Sequence, residues 1–182
     1  MIKIYVLRSA PYKYTVGGNN LYQSFNAIIK GEVEVSVVDG AKKIFIKGAS
    51  KDLLRIKKVY TSFKLACRQT AGFISDKYVP IWELSEVGYE MEDFISESDF
   101  FDEAGRANII LARRMFVEAF IADKLKEKRD DVFDRIDRLK DLIKSKKAGN
   151  IVFISHGFFI KIFEAYIRDG NLRKNPENFL SY

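Results

Sequence analysis

Apolar and polar positions along the chain alternate between strand-like runs and helix-like stripes. Residues 2–7, IKIYVL, form an apolar run broken only by Lys3, the pattern of a buried strand. A loop with Pro11, Gly17 and Gly18 follows. LYQSFNAIIKG places apolar residues at 21, 25, 28 and 29 ahead of Gly31, which predicts a short helix and its stop. VEVSVV and AKKIFI flank Asp39-Gly40, which predicts a β-hairpin inserted near residues 33–47. Ser50 is placed to cap the turn SKDLLRI. KKVYTS (57–62) reads as a strand, FKLACRQTAGFI (63–74) as a helix and YVPIWEL as a strand ending in acids.

The second half continues the alternation. Residues 90–103, EMEDFISESDFFDE, are acidic and read as an irregular, solvated segment. ANIILARRMFVEAFIADKL reads as a long helix. DDVFDRIDRLKDLIKSKK puts Val132, Ile136, Leu139 and Ile143 on one stripe, so one face packs on a core. NIVFIS (150–155) lacks polar alternation, the mark of a strand covered on both faces, and GFFIKIFEAYIRDG is a helix closed by Gly170. Strands alternating with helices predict an α/β fold: a three-layer sandwich with a mostly parallel central sheet and helices on both faces, built as one domain over 1–182. Folds of this kind bind ligands at the carboxyl ends of the strands.

Composition narrows the class. The chain is 47% apolar and 31% charged, which is globular rather than disordered, and its fifteen Phe need an interior or an interface. The lone Cys67 has no disulfide partner and no metal-binding companion. The acids Asp99, Asp102 and Glu103 lack calcium-loop spacing, so no metal and no cofactor is expected. The first residues lack a signal-peptide pattern, and no window approaches eighteen apolar residues; a soluble cytoplasmic protein without membrane association is expected. Net charge is +6 and the pI about 9.2, compatible with an anionic ligand. The basic residues interleave with acids and form no basic-aromatic stripe, which argues against a nucleic-acid partner.

Three segments carry candidate chemistry. In FISHGFF a strand enters, Ser155-His156-Gly157 turn, and a helix leaves, so the sole histidine sits where helix amides and the helix dipole favour an anion. The alternative is a histidine that caps the helix. The first strand ends in Leu7-Arg8-Ser9-Ala10, and an arginine there can fork a phosphate or form a surface ion pair. In the third segment, VYTSFKLACRQTAGFI, a strand leads through Thr61-Ser62 into a helix, and these hydroxyls and first-turn amides suit either an anion or a cap.

Taken in order, these segments resemble the histidine phosphatase superfamily, the phosphoglycerate-mutase-like fold. Leu7-Arg8 matches the family's opening strand and Arg-His-Gly motif. Tyr60, Ser62, Gln69, Thr70 and Ala71 match its second motif, Leu84-Ser85-Glu86 its third, and Glu127, Asp130-Asp131-Val132 and Arg135-Ile136 its fourth. Ser155-His156-Gly157 matches the last, and KNPENFLSY resembles the segment leading into the family's final strand. The resemblance implies a phosphate pocket of Arg8, Ser9, Ser62, His156 and Gly157. His156 and Glu86 would be its catalytic side chains, with Glu83 the alternative acid, and a cap segment would lie around 88–125.

Two departures redirect the expectation. The family's nucleophilic histidine is Ser9 here, and the family arginine four residues after the serine is Ala66. The family's helix start between the first two motifs is absent, with the Asp39-Gly40 segment in its place. A serine hydroxyl needs its own base, and a lost arginine removes a charge-assisted contact worth ~1.5–3 kcal/mol. Arg68 points about 200° away from position 66 on a helix, whereas Lys64, nearer the helix start, can fold back toward a phosphate. The expected function is therefore a non-catalytic or weakly catalytic relative, a pseudoenzyme. It would bind phosphate, a phosphorylated small molecule, or a protein partner such as a second copy. The alternative is an active phosphomonoesterase with a rearranged site using Arg8, Glu86 and His156.

Overall fold

The computed structural model describes residues 2–12, 20–146 and 149–181; the predicted loop at Gly17-Gly18 lies outside them. Four strands, β1 (Ile4–Arg8), β2 (Lys58–Thr61), β3 (Tyr78–Pro80) and β4 (Ile151–Ser155), form one sheet in the order β1-β4-β2-β3. Every pairing is parallel, with Arg8 opposite Ser155 and Thr61 opposite Ile154. Among the described residues the helices are α1 (Leu21–Lys30), α2 (Ala41–Gly48), α3 (Leu65–Ala71), α4 (Glu97–Phe100), α5 (Ile109–Ile121), α6 (Arg129–Lys144) and α7 (Gly157–Arg168). The α/β class with a parallel sheet is as the alternation predicts.

The chain divides into two compact units. One comprises Met1–Lys13, Val35–Glu86 and Asp134–Glu164; the other comprises Tyr14–Glu34, Val87–Phe133 and Ala165–Tyr182. The first holds the sheet. All five residues of β4 are buried, as its unbroken apolar run requires. On one face Val59, Val152 and Ile154 pack with Leu53, Ile56, Cys67 and Ala71, joined by Tyr5, Leu7 and Phe45. On the other, Phe153 meets Tyr60 edge-on at 5.9 Å and Phe163 of α7 at 6.5 Å. The sheet is thus covered by α2 and α3 on one side and by α7 on the other.

The predicted hairpin near 33–47 does not form. AKKIFIKG is the helix α2, and among the described residues the segment before it makes a single antiparallel bridge, Tyr12 to Val37. Strand geometry would align Ala41, Lys43 and Phe45 on one face, burying a lysine. Helical spacing instead puts Ala41 and Phe45 one turn apart on the inner side, while Lys42, Lys43, Ile44 and Lys47 face solvent. Gly40 is left-handed at φ 77°, but it starts the helix rather than turning a hairpin.

In the second unit α1 ends at Gly31, whose left-handed φ of 77° lets its amide close on Ala27 and Ile28. The acidic stretch is ordered, with a 3-10 turn at Met91–Asp93 and the short α4. Met91, Phe94, Ile95 and Phe100 are buried, so its apolar positions decide its course, and its acids take the solvent side or pair, as Glu90 does with Lys30 and Lys126. Tyr22 and Phe25 pack edge-on against Phe100, and Tyr89 and Phe94 against Phe116, which occupies much of the predicted aromatic surplus.

Truncating a buried strand residue should be costly. Ile154→Ala is expected to lower unfolding free energy by ~2–5 kcal/mol in a urea titration. Ile4→Ala on β1, where the side chain is 39% exposed, should cost well under half of that.

Candidate functional site

The site assembles at the carboxyl ends of β1, β4 and β2. Backbone hydrogen bonds run past the strand ends: Ser9 N donates to Ser155 O at 3.0 Å, and Ser62 N donates to Ile154 O at 3.1 Å. These bonds draw residues 8–9, 62 and 155–156 together across more than 140 positions of sequence. Ala10 N donates to Thr70 Oγ1 at 2.9 Å, tying the end of β1 to α3. Ser155 Oγ donates to Leu84 O at 2.6 Å, which holds the 82–86 turn against β4.

His156 sits between two side chains, one from the residue after β2 and one from α3. Its Nε2 lies 2.8 Å from Ser62 Oγ and 3.5 Å from Cys67 Sγ. Burial, reinforced by the positive charges of Lys64, Arg8 and Arg135, pushes its pKa down to about 4, so the ring is neutral at pH 7. Burial pushes the Cys67 thiol up to about 12, aided by the charge of Glu86 and opposed by the hydroxyls of Ser9 and Ser62. That thiol is a packing group, not a nucleophile.

Arg8 is exposed, and its guanidinium crosses the start of α7: a Cβ on Gly157 would lie 3.5 Å from its Cζ and Nε. Ser9 is buried, and no hydrogen bond joins its hydroxyl to His156 among the described residues. Glu86 Oε1 accepts from the Phe159 amide at 2.9 Å, so a carboxylate already rests on the positive end of α7. Glu83 instead pairs with Arg138 at 3.5 Å, which leaves Glu86 as the carboxylate of this site.

The structure therefore brings together Arg8, Ser9, Ser62, Glu86, His156 and Gly157. Ala66 is buried and offers no charge. Lys64, at the entrance of α3, heads the charged groups acting on His156, while Arg68 is not among them.

Arg135 is the residue whose role the sequence reading missed. It is fully buried, donates to Ser85 O at 2.8 Å and Glu83 O at 3.3 Å, and lies between the rings of Trp82 and Phe159 at 4.9 and 4.8 Å. Carbonyls and ring faces together compensate a buried cation. The available signal is positional: Arg135 falls three residues after Val132, inside the apolar stripe of α6. Among the described residues no cluster of acids, Cys or His could hold a metal, and no helix is long and apolar enough to cross a membrane.

One histidine gives one imidazole Hε1 resonance in a proton NMR titration, and its midpoint is expected near 4, moving up in Lys64→Ala. Below its ordinary value the unfolded chain binds this proton and the folded chain does not. Stability should therefore fall as pH drops from about 6.5 toward 4. Urea midpoints across that window should fall more steeply for wild type than for His156→Gln.

The chain matches the sequence model of the histidine phosphatase superfamily (branch 1) over residues 47–179, well over half its length. That match begins after β1, so Arg8 and Ser9 lie outside it. Among solved structures the fold is similar to Bacillus stearothermophilus YhfR, with a TM-score of 0.53 and 11% identity, covering 93% of this chain and 81% of that one. It is similar also to a protein assigned as an alpha-ribazole-5'-P phosphatase from Escherichia coli str. K-12 substr. MG1655. There the TM-score is 0.51 and the identity 16%, covering 90% of this chain and 78% of the other. No curated protein matches the chain. With the parallel sheet, the Ser-His-Gly turn at its carboxyl end and the match over 47–179, this chain belongs to the histidine phosphatase superfamily, branch 1.

Proposed function

We propose that this chain is a superfamily member that no longer carries out phosphohistidine chemistry and keeps its strand-end site for binding a phosphate-type anion. One observation carries the reading: the only imidazole of the chain, His156, is neutral and engaged with Ser62, while a serine follows Arg8. Phosphoryl transfer to an imidazole, followed by attack on the phosphorylated ring, needs one imidazole as nucleophile; charge stabilisation then falls to other groups. A single ring cannot serve both ends of that sequence. Among the described residues no hydrogen bond joins Ser9 to a base, so a simple exchange of nucleophile is not supported.

Anion binding is supported by charge. Arg8, Lys64 and Arg135 place positive charge around His156, and Ser62 and Ser9 add hydroxyls. Glu86 opposes them at the start of α7, which lowers affinity for a dianion and disfavours efficient turnover. The rearranged phosphomonoesterase is the second reading. The observation favouring it is the 2.8 Å Ser62–His156 contact, a hydroxyl beside an unprotonated imidazole.

Hydrolysis of para-nitrophenyl phosphate and phosphate-dependent thermal stabilisation separate the two. Under the binding reading, wild type and His156→Ala both hydrolyse at background, and phosphate raises the Tm of wild type but not of Arg8→Ala. Hydrolysis that disappears in both His156→Ala and Ser62→Ala would replace the binding reading with the second one.

A further inference from the structure

Positive charge is also concentrated away from the strand-end site. Residues 41–58 carry seven basic side chains against a single acid, Asp52, an excess equal to the net +6 of the whole chain. Part of this charge borders a cavity of about 330 Å³ lined by Asp52, Arg55, Ile56, Lys57, Lys58, Gly149 and Asn150. The cavity lies where β2 begins at Lys58 and β4 at Ile151, the amino ends of parallel strands. It is therefore at the opposite end of the sheet from His156. Its volume is in the lower range of small-molecule pockets.

The wall is built, not incidental. Leu53 and Ile56 are buried in the core, and Ser50 Oγ accepts from Leu53 N at 3.2 Å, so the turn carrying Arg55 and Lys57 is anchored from beneath. Neither Arg55 nor Lys57 pairs with an acid among the described residues. Gly149 is left-handed at φ 96°, and a Cβ there would lie 3.6 Å from Lys58 Nζ, so the ammonium rests against the glycine backbone. Asn150 uses its Oδ1 to accept from Lys3 N at 3.4 Å, which directs its amide hydrogens elsewhere. Three cations and an amide against one carboxylate leave a net charge near +2, which suits a ligand with two adjacent negative groups.

We infer that this cavity is a second anion site, for a ligand bearing a condensed phosphate such as a diphosphate group. Arg55 and Lys57 are its main contacts, with Lys58 and Asn150 completing the wall. The site is independent of the strand-end reading and stands or falls separately.

The test is calorimetric titration of inorganic pyrophosphate into the full chain, in wild type and three variants. Arg8→Ala removes the strand-end cation and is expected to leave cavity binding intact. Arg55→Ala/Lys57→Ala is expected to weaken it by roughly tenfold or more, since charge-assisted contacts are lost. Lys42→Ala/Lys43→Ala removes the same charge from exposed positions outside the cavity and should change it by less than about threefold. All of these side chains are exposed, so each variant is expected to fold, which its circular dichroism spectrum checks. No pyrophosphate binding in wild type, binding abolished by Arg8→Ala, or equal weakening in the two double variants would overturn the proposal.

Discussion

The register of three parallel strands is the constraint from which the site follows. Because β1, β4 and β2 run the same way, their carboxyl ends share one edge, and Arg8 faces Ser155 while Thr61 faces Ile154. The ladder extends one residue past β1 and β2, through the amides of Ser9 and Ser62. Slipping any strand by one position would turn its side chains to the opposite face of the sheet. Burial of β4 on both faces makes that slip costly, so the hydrophobic core sets where the strand-end side chains meet.

Electrostatics within that frame set the protonation state of the strand-end groups. Desolvation and three neighbouring cations make a protonated His156 unfavourable, and the ring is left as a neutral hydrogen-bonding group beside Ser62. Arg135 contributes to that field while doing structural work: it gathers the carbonyls of the 83–86 turn and so sets Glu86 over the first turn of α7. The carboxylate then fills the place at the helix start that an anion would otherwise seek. A cation buried for packing reasons thus decides how much free positive potential the site offers.

The two ends of the sheet differ in how their charge is held. At the carboxyl end the cations act on buried groups and are balanced by Glu86 and by carbonyls. At the amino end they are exposed around an anchored turn, with one acid among them. A pI of about 9.2 is therefore not a uniform property of the surface but belongs largely to one sequence segment.

By itself the sequence determined the order of strands and helices, the double-sided burial of β4 and the placement of Arg8, Ser62 and His156 at strand ends. Each of these is written in local periodicity: a run without polar residues, an apolar stripe at three- and four-residue steps, a turn between strand and helix. It also determined that the chain has a single imidazole and that a serine, Ser9, follows Arg8. Local pattern failed at residues 41–48, where β-formers after Asp-Gly read as a strand, because burial of Ala41 and Phe45 on one side outweighs β propensity. It failed also for Arg135 and for the choice between Glu83 and Glu86. Which groups surround a buried cation, and which carboxylate reaches a helix amide, depend on contacts across 50 to 73 residues of chain. Only the packed tertiary structure supplies the low-dielectric surroundings and the fixed distances that settle them.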